Sequence, residues 1–393
     1  MTQTREGPRI AVVGAGPAGL ALALLAAQRL PRASVTLYDA RPADRDVSAD
    51  PRTLALSLGS VQLLQRLQAW PAASAQPITE VHVSQHGAAP ELHIRAAEES
   101  VAMLGAVLSY GALVAPMQRA WEQRCALEPQ RLSSRFGTPV AALKPLAASV
   151  EIDAGIAEAF DLAVIAEGGV FAEQSRKALV HDYRQTAWVG SAEIAGGAAG
   201  LAVERFTRHG PLALLPLPLP PQRSGDARAA LVWCVPAGDD PVRDLDTEQR
   251  IALLNSLLPL AAGTIVQLAP LKPFALGLNA EATLVDRRTV KIGNAAQTLH
   301  PVAGQGLNLG LRDAYALVDA LRDNGSIDAA LRRIEWARAP DRWATIATTD
   351  FLARSFTWQW PGLGALRGAG LALLDAAGPL KSLVARQMMF GRR

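Results

Sequence analysis

Along the first forty residues of this 393-residue chain the pattern of apolar and polar positions changes from one period to another. Arg9-Ile10-Ala11-Val12-Val13 is a short unbroken apolar run, the mark of a strand covered on both faces. Gly14-Ala15-Gly16-Pro17-Ala18-Gly19 follows, then Leu20 to Gln28 in good helix formers, then Ser34 to Tyr38 as a second strand. The prediction is strand, glycine turn, helix, strand. The eighteen apolar residues from Ile10 to Ala27 have the length of a membrane span, but three glycines and a proline between Gly14 and Gly19 favour the soluble unit.

Further along, an amphipathic helix is expected from about Ser60 to Leu67, ended by Trp70-Pro71. Residues from about Ile78 to Ile94 read as short strands, Ile78 to Val83 among them. A helix is expected over Leu108 to Glu122, followed by paired strands. Asp161 to Gly169 reads as a buried parallel strand ending in Glu167, Gly168 and Gly169. Leu212 to Leu219 and Ala229 to Val235 read as further strands, which with Ile78 to Ile94 make one smaller sheet inserted into the domain that the first strands open. Gly196-Gly197 with Gly200, and Gly362 to Gly370, are read as turns or close packing. Thr289 to Ala314 is read as a strand, an asparagine turn, a proline-fixed loop and a glycine-flanked helix running to about Leu321.

Length implies two to three domains, and 50% hydrophobic with 19% charged residues excludes a disordered or collagen-like chain. A net charge of +3 without a basic arm gives no reason to expect a nucleic-acid partner. Cys125 and Cys234 are isolated, so no metal site is expected and the compartment is reducing. The segment MTQTREGPR lacks the features of a signal peptide, which predicts a cytoplasmic location.

The chemistry begins at the glycine turn. Gly14 makes the turn, Gly16 lets backbone approach a pyrophosphate, and Gly19 lets helix pack on strand. Asp39, twenty residues beyond Gly19, is placed for ribose hydroxyls. This unit suits FAD and NAD equally. Arg52, in the run Asp50 to Ser57, lies at the mouth of the site, for phosphates or a nicotinamide donor. Gln118 and Arg119 are expected to point toward the cofactor, and Glu167 to face it from the carboxyl edge of its strand. Gly304 and Gly306 free the backbone to approach a flat ring, with helix N–H groups placed to stabilise negative charge on it.

That last run resembles the second flavin-binding motif of the single-component aromatic hydroxylases, and within them the ubiquinone-biosynthesis 2-polyprenyl-6-methoxyphenol hydroxylases. GAGPAGLALAL, Arg52 to Ser57, Glu204 to Thr207 with Gly210 to Pro216, and Leu380 to Gly391 carry the resemblance along the chain. It implies an α/β fold with a Rossmann-like FAD-binding domain built from residues 1–75, 105–178 and 278–352. It further implies an inserted, mostly antiparallel substrate domain from 76–104 and 179–277, and C-terminal helices over 353–393. The implied activity uses bound FAD, transient NAD(P)H and dioxygen to hydroxylate the ring of a polyprenylated phenol. A different ring position, a small soluble aromatic and a non-catalytic flavin-binding assembly partner are the alternatives.

By the resemblance Gly14, Gly16, Gly19 and Asp39 hold the ADP half of FAD, and Arg52 and Gln118 lie along the cofactor. Asn294 stands where most relatives have an aspartate on the ribityl chain. Pro301, Gly304, Gln305, Gly306, Leu307 and Asn308 border the isoalloxazine. Glu167-Gly168 replaces the family's Asp-Gly, a departure that bears on how tightly flavin is held. His300 is the candidate to assist phenol deprotonation, a structural loop histidine being the other reading. Five basic residues, Arg367, Lys381, Arg386, Arg392 and Arg393, interleave with leucines near Trp358 and Trp360. Such helices suit the anionic inner face of a membrane, a biosynthetic complex, or docking on the protein's own body.

Overall fold

Strand β1 (Arg9–Val13) is buried at every position after Arg9 because sheet neighbours and helices cover both of its apolar faces. A computed structural model describes residues 7–88, 90–167, 177–219, 226–355 and 363–392. Gly168, Trp358 and Trp360 lie outside these described residues.

After β1 come helix α1 (Pro17–Arg29) and strand β2 (Ser34–Asp39), then β3 (Thr53–Ser57) and α2 (Leu58–Arg66). Strands β4 (Gln76–Ile78), β5 (Glu80–Gln85), β6 (Glu91–Arg95) and β7 (Gly105–Ser109) lead into α3 (Tyr110–Leu127). Next are β8 (Leu132–Phe136), β9 (Ala142–Pro145), β10 (Val150–Asp153), β11 (Ala157–Phe160) and β12 (Leu162–Ile165). The long strand β13 (Lys177–Ala195) opens a run of β14 (Leu201–Thr207), β15 (Gly210–Leu217) and β16 (Asp226–Pro236). Helix α4 (Thr247–Leu257), β17 (Thr264–Leu268), β18 (Lys272–Glu281), β19 (Val285–Asp286), β20 (Thr289–Lys291) and β21 (Gln297–Thr298) follow. Helices α5 (Gln305–Asp323), α6 (Ile327–Ser355), α7 (Leu363–Ala376) and α8 (Gly378–Phe390) complete the order.

The nucleotide sheet has six strands in the order β19-β20-β12-β1-β2-β8, parallel except for the β19 edge. Helices α1, α3 and α5 cover one face through a core that includes Leu20, Leu113, Trp121, Leu311 and Leu317. The β9–β11 meander covers the other through Val150, Ile152 and Phe160. The carboxyl ends of β1, β2 and β12 therefore open together at one edge, where ligands bind in such sheets.

A second sheet of nine strands runs β21-β18-β13-β16-β15-β14-β5-β6, with β17 paired to β13. All its pairs are antiparallel except β14 with β5. Trp188, Leu231 and Trp233 pack beneath Leu254 and Leu257 of α4. This sheet is the larger of the two, not the smaller one expected, because β13, β17 and β18 lack strong alternation and escape a period-two reading. Leu108 belongs to β7 rather than to the helix that follows, since its extended backbone pairs with Leu54. The run Ile78 to Val83 divides at Thr79 into β4 and β5, which serve different sheets. The glycines from Gly364 to Gly370 lie within α7, not in a turn; Gly368 packs on Pro90.

Helices α5 and α6 are joined by buried charge. Arg338 Nε donates to Asp313 Oδ1 at 2.8 Å and its Nη2 to Asp341 at 2.8 Å, while Arg312 Nε reaches Asp341 at 2.9 Å. The Arg392 backbone N–H donates to Asp341 Oδ1 at 2.9 Å. Helices α7 and α8 dock on β6 and α2, burying Ala385 and Met389 beside Leu58, Leu92 and Ile94.

On β14 the Glu204 carboxyl is enclosed, though the residue as a whole keeps some exposure, and Oε1 has no hydrogen-bond partner among the described residues. Burial pushes its pKa from 4.5 up to about 8. Folded protein thus keeps a proton that the unfolded chain releases, so this contribution to stability is full at low pH and lost as pH rises through about 8. The advantage of Glu204→Gln over the parent is expected to grow by a few kcal/mol between about pH 5 and pH 8 in urea titrations. A difference that does not change with pH excludes a buried neutral acid.

Candidate functional site

Three glycines shape the first turn, for two different reasons. Gly14 adopts φ +103°, and a Cβ there would lie 2.8 Å from the Glu167 backbone N. A Cβ at Gly19 would sit 1.9 Å from the Gly14 carbonyl oxygen. Both positions are closed by the protein itself. Gly16 is extended, and a Cβ there would meet only Tyr110 Oη at 3.8 Å. It caps α1 with no side-chain hydrogen bond, and no acid stands in the first turn, so the helix's first amides face an open space. That space is the shape a pyrophosphate needs.

Asp39 ends β2 beside this turn. Its Oδ2 accepts from the Ala15 N–H at 2.6 Å, and its Oδ1 from Arg41 N at 2.8 Å and Arg41 Nε at 2.9 Å. Burial works to raise its pKa, but these hydrogen bonds from Arg41 and Ala15 outweigh it and hold the carboxyl below its usual value. Glu167 closes β12 at the same edge, where burial and then the charge of Asp39 push its pKa up.

The second half of the site is built on α5. Gly304, at φ +57°, caps this helix without a side-chain bond, and a Cβ at Gly306 would meet nothing within 4 Å among the described residues. Asn308 is buried and fully used: Oδ1 accepts from Ser57 N at 2.8 Å and Ser60 Oγ at 2.8 Å. Its Nδ2 donates to Ala55 O at 3.1 Å and Gly304 O at 3.0 Å. It therefore ties the start of α5 to β3. A Cβ at Gly310 would lie 2.8 Å from Gly293 Cα, so α5 touches the turn that carries exposed Asn294 at backbone distance. Pro301 is exposed, and Gln305 and Leu307 are half-buried on the first turn of α5.

An open cavity of about 1310 Å³ lies between the segment from Arg45 to Thr53, the start of α3 and the large sheet; Gly16, Asp39, Glu167, Asn294 and the turn from Gly304 to Asn308 are not in its wall. Arg52 is in its wall, paired with Asp50 at 2.8 Å and stacked 4.2 Å over the Tyr110 ring. Tyr110 thus bridges Gly16 to the cavity. Arg41, Arg45, Arg228 and Lys272 also line it, opposite Asp46 and Asp50, with Leu217, Pro218 and Phe274 supplying apolar surface. Gln118 lies on α3, outside the residues of the cavity wall, and donates to Glu122 at 3.0 Å.

His300 is buried beneath the loop. Its Nδ1 accepts from Val302 N–H at 3.2 Å, which places the proton on Nε2, donated to Gln185 Oε1 at 2.9 Å. Burial pushes its pKa down to about 4, and the Tyr183 ring, edge-on, fills the space alongside. Both nitrogens are engaged within the protein, in keeping with a structural role. Tyr110, Lys272 and the Asn308 partners Ser57 and Ser60 are contributors that local sequence pattern does not single out. An asparagine one turn into a helix opened by glycine is the available signal for the last group.

A profile of NAD(P)-binding Rossmann-like domains matches residues 12–43. The chain is 29% identical over 407 residues to the ubiquinone hydroxylase UbiL of Rhodospirillum rubrum, covering 97% of this chain and 89% of that protein. It is 29% identical over 396 residues to the 3-demethoxyubiquinol 3-hydroxylase of Escherichia coli, covering 96% and 97%. In fold it is similar to Klebsiella pneumoniae HpxO complexed with FAD and uric acid, at a TM-score of 0.73 and 16% identity over 98% of this chain and 99% of that one. Pseudomonas aeruginosa PqsL, a probable FAD-dependent monooxygenase, gives 0.72 at 20% identity over 93% and 99%. Over nearly its whole length the chain is thus similar in sequence to two ubiquinone-pathway hydroxylases and shares its fold with these solved structures.

Proposed function

We propose that the protein hydroxylates the aromatic ring of a polyprenylated phenol in ubiquinone biosynthesis, using FAD, NAD(P)H and dioxygen. The observation that carries this reading is the pair of helix starts without a side-chain cap, α1 at Gly16 and α5 at Gly304, the second tied to β3 through Asn308 and the first meeting Tyr110 of the cavity wall. The near full-length likeness to two ubiquinone-pathway hydroxylases supplies the substrate class.

The open space at Gly16 fits a dinucleotide. Gly14, Gly16 and Gly19 with Asp39 would hold its ADP half, and Arg52 its phosphates. Asn294 would meet the ribityl chain, and Pro301 with Gly304 to Asn308 the isoalloxazine; Glu167, Gly168 and Gln118 complete the assignment. When bound, FAD supplies the electron transfer from NAD(P)H and the activation of dioxygen. The protein's own part is positional and electrostatic. Amides at the start of α5 present a positive dipole end to a ring that gains charge on reduction. Apolar residues of the large sheet exclude water from the reacting face. Arg45, Arg228 and Lys272 make no ion pair among the described residues, which leaves them available to the phosphates of a transient nicotinamide donor. His300 holds Gln185 and the loop amide rather than moving a proton.

Leu373, Leu380 and Leu383 stand exposed on α7 and α8 although the opposite sides of these helices are docked. No helix among the described residues is long and apolar enough to cross a membrane. A peripheral contact through these leucines suits a substrate with a polyprenyl tail.

Purified protein saturated with FAD is expected to show flavin absorbance and to oxidise NAD(P)H only when a prenylated phenol is added, with hydroxylated product recovered. Bound flavin without any phenol-dependent NAD(P)H oxidation would leave the assembly-partner reading. Gly16→Val is expected to weaken FAD binding by at least about tenfold in a fluorescence titration while leaving thermal unfolding of the FAD-free protein unchanged, because its Cβ enters open space. Leu380→Asp with Leu383→Asp is expected to lower co-sedimentation with anionic vesicles without lowering turnover of a short-tailed phenol. Equal sedimentation removes the membrane reading.

A further inference from the structure

Away from the cofactor edge, the outer strands of the large sheet bring two histidines and two glutamates together. Strands β5 and β6 pair antiparallel with His82 opposite His93, Glu80 opposite Arg95 and Ser84 opposite Glu91. Alternation puts all six on one face of the sheet, while Val81, Val83, Leu92 and Ile94 face the C-terminal helices on the other. Glu91 Oε2 lies 3.4 Å from His82 Nε2 and 3.7 Å from His93 Nε2. The imidazoles stack with centroids 4.6 Å apart and planes 15° from parallel.

Two features separate this group from an ordinary polar surface. His82 is wholly buried, yet neither ring nitrogen makes a hydrogen bond among the described residues; Ser84 Oγ beside it is likewise unpartnered. A buried polar ring left so is costly unless something occupies it. The second feature is His93, whose Nδ1 lies 2.7 Å from Glu80 Oε1. That contact fixes the proton on Nδ1 and directs the Nε2 lone pair toward Glu91, the carboxylate–histidine arrangement that orients metal ligands. Ligands about 2.0–2.1 Å from a tetrahedral ion are roughly 3.4 Å from each other, close to the two separations seen here. Arg205 and Arg95 face the same group, and Glu80 and Glu91 offset their charge.

We propose that His82, His93 and Glu91 bind one divalent transition-metal ion of the zinc class, with Glu80 as the positioning residue for His93. Two imidazoles and one carboxylate suit zinc rather than calcium or magnesium, which take oxygen ligands. The rings as they stand are nearly parallel, so a common ion requires the His93 imidazole to turn out of the stack until its Nε2 lone pair converges with that of His82. The ion staples β6, the sheet edge on which α7 packs, to its neighbour β5.

The test uses full-length, tag-free protein stripped with chelator and then dialysed against buffered zinc, with bound metal measured by mass spectrometry. One zinc per chain is expected. His93→Ala and Glu91→Gln are each expected to weaken binding at least about tenfold, and Glu80→Gln to weaken it less. Zinc should raise the unfolding temperature of the parent and not that of His93→Ala. Glu91 is partly exposed at the edge, so Glu91→Gln keeps the test valid even if the histidine variant folds poorly. Parent protein that holds no more zinc than Glu91→Gln, or variants that bind zinc as tightly as the parent, would overturn the proposal.

Discussion

The site depends on one backbone contact, the approach of Gly19 on α1 to the carbonyl of Gly14 at the end of β1. With no side chain between them, the helix starts directly against the strand it follows, and its first amides are carried to the carboxyl edge of the sheet. The same economy recurs where Gly310 of α5 meets Gly293. Two helix starts are thereby held at one edge with neither capped by a side chain. Larger residues at either contact would push a helix off the sheet and withdraw its amides from the ligand.

Around this geometry the rest of the chain acts as a clamp. Asn308 fastens the start of α5 to β3 through four hydrogen bonds, and the buried Asp313–Arg338–Asp341–Arg312 group fastens its middle to α6. Buried ion pairs contribute modestly to net stability, because desolvation offsets much of their attraction, but losing one partner strands the other. Their effect here is to fix register between two long helices whose apolar faces alone would permit sliding.

What is legible in the sequence follows from local rules. The first strand, turn and helix are readable because the spacing of Gly14, Gly16, Gly19 and Asp39 reflects steric needs within a single unit. The run from Thr289 to Ala314 is readable because proline and glycine leave few backbone options. Strands β13 and β18 are not, since their stability comes from each other, with Gln185 opposite Leu276 and Lys177 opposite Glu281 across a long stretch of chain. The second wall of the cavity is hidden for the same reason: Lys272 and Arg228 reach Arg52 only through that sheet. His300 shows its surroundings in space, not in sequence, where a buried glutamine over a hundred residues away accepts its hydrogen bond.

Strand order in the nucleotide sheet also has a consequence in time. Its centre pairs β1 with both β2 and β12, and β12 with β20, so strands near residues 10, 165 and 290 must all meet before the sheet is whole. A chain emerging from the ribosome exposes its glycine turn early, yet α5, which packs against α1, arrives only after some three hundred residues have been made. The β1–α1–β2 unit therefore waits for β12, ending at Ile165, before both flanks of β1 are paired, and for α5, from Gln305, before the second helix start is in place.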